Sequence, residues 1–301
     1  MLHLRVITPP SLRETVLDLL SNNPGVTHVV LHPDAAIEPR GDEITAELAR
    51  ESANEVVDGL KAMGVKECGA ITLDLVDTVL STRAYRAENE AQGDPADAVV
   101  WDELAARTRE ESTLNVTFVA FLTLACLIAA IGVATDSPVT VVGGMVVGPE
   151  FGPLAALAVA LVRRRPHLAR RAALALVIGF PIAMAITAVV VLACEGFGWI
   201  ELTSTRHLEE VDFIFRVGPL SLMVALLAGA AGMLSLVSAK SAALVGVFIS
   251  VTTVPAAGFA VVAATMGDWD IAAKSAAQLA LNIVAVVVAG ALVLWARRLA
   301  D

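Results

Sequence analysis

Gly143-Gly144-Met145-Val146-Val147-Gly148-Pro149-Glu150-Phe151-Gly152-Pro153 lies inside one long apolar segment, and Gly246-Val247-Phe248-Ile249-Ser250-Val251-Thr252-Thr253-Val254-Pro255-Ala256-Ala257-Gly258 lies inside another. A serine introduces each, Ser137 and Ser241, and each carries glycine before its middle and then Pro-x-x-Gly. Pro149 and Pro255 stand 106 residues apart. Proline withholds a backbone donor and collides with the preceding helical turn. In hydrocarbon, the carbonyls this frees persist only where protein or a water-filled cavity satisfies them. The pair reads in one of two ways: broken helices around a site, or kinked helices packed closely through glycine.

Working outward, six apolar segments are expected to cross a membrane: Asn115–Ala134, Pro138–Val162, Ala172–Ala193, Gly218–Val237, Ala242–Ala263 and Ile271–Leu294. Each is near the ~20 residues that a crossing needs. The centres of the first and fourth, and of the third and sixth, have about the same separation as the two prolines, which points to a duplicated unit of roughly 100 residues. Three spans per unit is an odd number, so the halves, about 113–195 and 213–299, are expected to be inverted repeats.

Arg163, Arg164, Arg165, Arg170, Arg171, Lys240, Arg297 and Arg298 fall on one side of this arrangement. Asp136, Glu195, Glu201, Glu209, Glu210, Asp212, Asp268 and Asp270 fall on the other. The positive-inside rule then places both termini in the cytoplasm and the chain in the inner membrane, multi-pass.

The candidate substrate or ion site gathers where the two Gly-Pro segments meet: Gly148, Pro149, Glu150 and Gly152 from the second span, and Thr252, Thr253, Pro255 and Gly258 from the fifth. Asn282 of the sixth span falls at a similar depth, counting ~1.5 Å per helical residue. A carboxylate at mid-span is costly, so Glu150 is read as a proton or cation group or as one half of a structural pair. Thr252, Thr253 and Asn282 are equally suited to hydrogen bonds between helices. Ala228-Gly229-Ala230-Ala231-Gly232 is a small-residue surface for close helix contact, within the repeat or between protomers.

The Ser137–Leu154 segment, with its Gly-Gly-Met and Gly-Pro-Glu-Phe-Gly-Pro run, resembles the signature of the hydrophobic bacterial and archaeal proteins called domain of unknown function 389. Ala242–Gly258 is similar to that family's second glycine-proline block, and the resemblance covers about residues 113–265. It implies a multispan membrane protein with a variable soluble part and supplies no substrate. Glu150 departs from the apolar residue that the resemblance implies at its place.

The first 80 residues read as a ferredoxin-like βαββαβ domain. Strands are expected at Leu2–Ile7, Val26–Leu31, Glu43–Leu48 and Ala70–Leu75. Ser11 is the expected cap of a first helix reaching about Leu20, and Glu51–Met63 is the second helix, stopped by Gly64. Asn23-Pro24-Gly25 makes the first turn, and an irregular stretch is expected around Arg40-Gly41. The loop Thr8–Ser11, opening a helix, offers a place for an anionic small-molecule ligand, and the alternative is an assembly module. Residues 81–112 are expected to be a linker followed by an amphipathic helix, Ala98–Arg109. That helix lies either along the membrane surface with Trp101 among the headgroups, or between domains. Residues 113–301 form the transmembrane domain.

Charge separates the two parts. Residues 1–112 carry 21 acidic and 10 basic side chains, and residues 113–301 carry 10 and 11. An acidic soluble part argues against nucleic acid as a partner. The chain opens on Met1–Arg5 and then Pro9 and Pro10, without an apolar run, so the soluble domain is expected to stay in the cytoplasm. Cys68, Cys126 and Cys194 form no framework, and His3, His28, His32, His167 and His207 have no metal-ligand spacing. No nucleophile elbow or phosphate loop is present, so neither enzymatic chemistry, nor a metal, nor a cofactor is expected. The residues point to a transporter or channel-like permease that works as a homo-oligomer, its soluble domain regulatory or assembling. The alternative is a membrane-anchored metabolite sensor.

Overall fold

The computed structural model describes residues 1–76, 78–91, 93, 98–199, 219–237 and 245–300, with backbone alone for 219, 245–252 and 300. The chain divides into two compact units, Met1–Leu104 and Ala105–Ala300.

In the first unit, alternation builds the sheet. Strand β1, Leu2–Thr8, turns Leu2, Leu4 and Val6 inward, and its neighbour β3, Arg40–Leu48, turns Ile44, Ala46 and Leu48 to the same side. With β2 (Val26–Ile37) and β4 (Ala70–Leu75) the sheet runs β2-β3-β1-β4, every neighbour antiparallel. Helix α1, Arg13–Asn22, places Val16 and Leu20 on this core. Helix α2, Ala53–Ala62, adds Val56 and Leu60. Each such side chain, fully buried, contributes roughly 1.5–3 kcal/mol.

Local chemistry sets the ends. Asn23 Oδ1 accepts from the Gly25 N–H at 3.0 Å and closes the first turn. Gly64 sits at φ +79°, the left-handed conformation that stops α2, and a one-turn helix α3, Val65–Cys68, follows it.

Several expectations need correcting. Ser11 does not cap α1: Pro9 and Pro10 start a 3-10 turn, Pro10–Leu12, and the helix begins after Leu12 with no side-chain cap. Strand β2 runs on to Ile37 through register shifts, and Arg40-Gly41 is paired in β3 rather than irregular. The linker contains helix α4, Thr82–Glu90, whose cap Ser81 accepts from the N–H groups of Arg83 and Ala84. Trp101 opens helix α5, Trp101–Glu111, and is buried rather than standing at a headgroup level. Asn54 holds this start, donating to the Val99 carbonyl at 2.7 Å and accepting from the Trp101 N–H at 3.2 Å.

Asp42 is fully buried and takes the Arg13 guanidinium in a two-pronged bond of 2.6 and 2.8 Å. The Arg13 guanidinium, helped by the Asp34 N–H, holds the Asp42 carboxyl below the usual aspartate range. A lowered carboxyl contributes stability above its unfolded value, about pH 4, and loses it as pH falls through the folded value. Asp42→Asn is therefore expected to weaken amide protection in β1 and β3 at pH 7 and to flatten its loss below about pH 4. Hydrogen exchange of the full chain, corrected for intrinsic rates, reads both effects. An unchanged acid limb would place that sensitivity elsewhere.

The second unit is a bundle of apolar helices: α6 Val116–Ala134, α7 Pro138–Val147, α8 Phe151–Arg163, α9 Pro166–Gly196, α10 Pro219–Val237, α11 Val245–Thr265 and α12 Trp269–Ala300. Four of them, α6, α9, α10 and α12, are long and apolar enough to cross a membrane, and α7 with α8 forms a fifth, bent candidate. Such helices mark a membrane protein. Helix α11 spans 21 residues, and its described apolar part is Thr253–Thr265. Asn115 caps α6 by accepting from the Phe118 N–H at 2.7 Å, and Ser137 caps α7 ahead of Pro138. Ser241, Lys240 and the acidic residues Glu201 to Asp212 lie outside the described residues.

Candidate functional site

The break between α7 and α8 follows from three residues. Pro149 lacks an N–H and pushes the residue before it out of the helical region. Gly148 accordingly stands extended, at φ −62° and ψ 126°. The chain re-enters the helix through Glu150, at φ −70° and ψ −13°, and α8 leaves at 56° to α7.

Glu150 thus sits at the elbow, and it is fully buried. Its Oε1 accepts a hydrogen bond of 2.7 Å from Thr253 Oγ1 of α11, and Thr253 is also fully buried. The bond joins the two segments that carry the Gly-Pro pattern, across 103 residues of sequence. A hydrogen bond to a carboxylate in such surroundings is among the stronger kinds, about 1.5–3 kcal/mol.

On another side, Gly148, Pro149 and Gly152 border a cavity of about 400 Å³. Arg107, Glu110 and Glu111 stand on its lining. Gly152 is there because nothing larger fits: a Cβ would come within 2.6 Å of Glu111 Cβ and 2.8 Å of the Glu111 carbonyl.

The remaining candidates divide. Gly258 presses on α6, where a Cβ would meet Ala129 Cβ at 2.8 Å, so it is a packing residue. Pro255 does not break its span, because α11 continues through it from Val245 to Thr265. Of the two breaks expected, the structure has one. Valine precedes Pro255 where glycine precedes Pro149, and Pro181 is likewise carried inside α9. The side chain of Thr252 lies outside the described residues.

Asn282 is buried on α12, and the same helix buries Ser275 and Gln278. Residues 275, 278 and 282 recur at helical spacing and form one polar stripe, of which only Asn282 was anticipated. The i, i+3, i+7 recurrence of polar residues in an apolar helix is the signal that finds the other two. Gln278 Nε2 donates to Ser221 Oγ of α10 at 2.8 Å. Part of the small-residue surface of α10 packs inside the bundle, since a Cβ at Gly229 would lie 2.6 Å from the Val286 carbonyl of α12, while Ala231 is exposed.

A family model described as Domain of unknown function (DUF389) matches residues 145–288, a stretch that contains Glu150, Thr253 and the polar stripe of α12. No curated protein and no solved structure matches the chain.

Proposed function

We propose that this chain, whose residues 145–288 match the family model described as Domain of unknown function (DUF389), is an inner-membrane transporter or channel-like permease for a small solute or ion. One observation carries the reading. A buried carboxylate at a helix break is hydrogen-bonded to a buried threonine from the matching segment of the other half. Ionisable groups inside membrane helices are expensive and mark sites of ion or proton handling. Here the carboxylate lies beside backbone that is irregular only because a proline made it so.

The reading includes six spans in two inverted repeats, and the packing pattern supports it. Helix α6 packs on α7 and α9, and α8 on α9; correspondingly α10 packs on α11 and α12, and α11 on α12. Across the halves, α11 packs on α9 as α8 packs on α12. Cytoplasmic termini and arginine-rich cytoplasmic loops belong to the same reading. The sheet order β2-β3-β1-β4 supports a ferredoxin-like soluble domain, which in this reading regulates the permease or joins protomers. Its outer strands β2 and β4 leave Ile37 and Leu75 exposed, as pairing edges of a homo-oligomer would. A small-molecule ligand at Thr8–Ser11 is not favoured by geometry, since Arg13, two residues past this loop, is committed to Asp42.

Flux across liposomes holding the full chain tests the proposal. Vesicles loaded with a pH dye and challenged with a proton, sodium or potassium gradient are expected to dissipate at least one gradient faster than protein-free vesicles. Rates equal to those of protein-free vesicles in every arm, with small metabolites included, would overturn the permease reading.

A further inference from the structure

Where α8, α9 and α12 meet lies a cavity of about 390 Å³ lined by Val162, Arg163, Arg164, Arg165 and Arg298. Four of the five residues that line it are arginines, and no acidic residue is among the described residues lining it. Two elements far apart in sequence build it. Helix α8 ends at Arg163, Arg164 turns the chain at φ +52°, and Arg165 leads into Pro166, the first residue of the 31-residue α9. Arg298 comes from the last turn of α12 and is fixed there, its Nη1 donating to the Val162 carbonyl at 3.1 Å. One bond leaves most of the fork's five donors for other acceptors. The N-terminal end of α9 adds its own partial positive charge.

We propose that this cavity binds the phosphate of an anionic phospholipid headgroup. The planar guanidinium fork matches the paired oxygens of a phosphate, and a cluster of forks outcompetes single carboxylates or chloride for such a group. The surroundings select a lipid over a free phosphate. Leu161, Trp295 and Leu299, each within one helical turn of a lining arginine, are exposed, with Trp295 one turn before Arg298. Apolar and aromatic side chains beside a basic pocket are what acyl chains and the headgroup boundary require. Because Arg163–Arg165 join α8 to α9 and Arg298 closes α12, a bound headgroup ties three helices together at one end.

The test uses the purified full chain in a neutral detergent. Its thermal midpoint is followed with added dioleoylphosphatidylglycerol, dioleoylphosphatidylcholine or inorganic phosphate. Phosphatidylglycerol is expected to raise the midpoint, and phosphatidylcholine is not. Arg164→Gln and Arg298→Gln, each read against its own lipid-free midpoint, are expected to weaken the apparent affinity about tenfold. Arg170→Gln, an exposed arginine off the cavity lining, is expected to keep it. Arg164→Gln leaves the Val162 bond in place, so a folding defect in Arg298→Gln does not decide the matter. Loss of the response in Arg170→Gln to the same degree would reduce the effect to general surface charge and overturn the site. Equal responses to phosphatidylcholine, or full retention in both cavity variants, would overturn it too. A response to millimolar inorganic phosphate matching that to the lipid would overturn the lipid and assign the pocket to a soluble phosphate.

Discussion

Glu150→Gln should accumulate and assemble like the parent chain while losing pH- or cation-dependent flux by at least about tenfold. Glutamine keeps the shape and keeps an oxygen for the Thr253 hydroxyl, which lies 2.7 Å from Glu150 Oε1 in the parent. What it removes is the ability to carry charge or exchange a proton. If the carboxylate were only a structural acceptor, the weakened bond would cost stability and leave flux intact in whatever folds. Thr253→Val supplies the companion measurement. It withdraws a donor worth about 1.5–3 kcal/mol from a buried carboxylate, so flux in the single variant should fall by roughly tenfold or more. The double variant should carry no less flux than Glu150→Gln alone, because the ionisable group that Thr253 serves has then already been removed. Normal folding and normal flux of Glu150→Gln at every pH would remove Glu150 from the site and leave it to Thr253 and the polar stripe of α12.

Much of this site is legible in the sequence because its cause is local. Gly148-Pro149 drives the residue before the proline out of the helical region, and Ser137-Pro138 starts a helix. The pairing of Glu150 with Thr253 is legible only as a correspondence between segments, since a bond spanning 103 residues depends on how the halves pack. Pro255 shows the limit of local reading. The neighbours of a helix decide whether a proline bends it or is absorbed, and α11 packs on α6, α7, α9, α10 and α12. Ser275 and Gln278 escape notice for a related reason: serine and glutamine are unremarkable singly, and only their recurrence with Asn282 on one helix face marks them.

The soluble unit divides in the same manner. Strands β1 and β4 and the stop of α2 at Gly64 are written in alternation and in a glycine that takes φ +79°. Helix α4 is not, because only Ala84 and Ala87 are buried on it, and alanine leaves no hydrophobic period to read. The far half of β2 is hidden by Pro33 and Asp34, which read as a turn. The strand takes them in by shifting register between His32 and Ala36, with Asp34 at φ +52°.

Gly258→Val should reduce the yield of folded protein at least tenfold, by an overpacking cost at or above the usual range of about 1–3 kcal/mol. The reason is the material it meets. A Cβ at Gly258 would stand 2.8 Å from Ala129 Cβ, 3.0 Å from Ala130 N and 3.1 Å from Ala129 C. Two of those atoms are backbone of α6, and backbone inside a helix cannot rotate away as the end of a long side chain can. Helix α6 is pinned from another side as well, because a Cβ at Gly144 of α7 would stand 2.8 Å from the Ala125 carbonyl and 3.0 Å from Ala129 N. Pushing α11 outward would also draw Thr253 off Glu150, five residues before Gly258 on the same helix, so loss of fold and loss of site go together. Gly258→Ala adds only the Cβ and should fall between valine and the parent. Gly143→Ala is the control: its Cβ would meet nothing nearer than Ile128 Cγ2 at 3.8 Å, and yield should not change. Fluorescence-detected size exclusion of the three variants orders them. A Gly258→Val peak as tall and as heat-resistant as that of Gly143→Ala would mean that α6 and α11 do not meet as closely as their glycine implies.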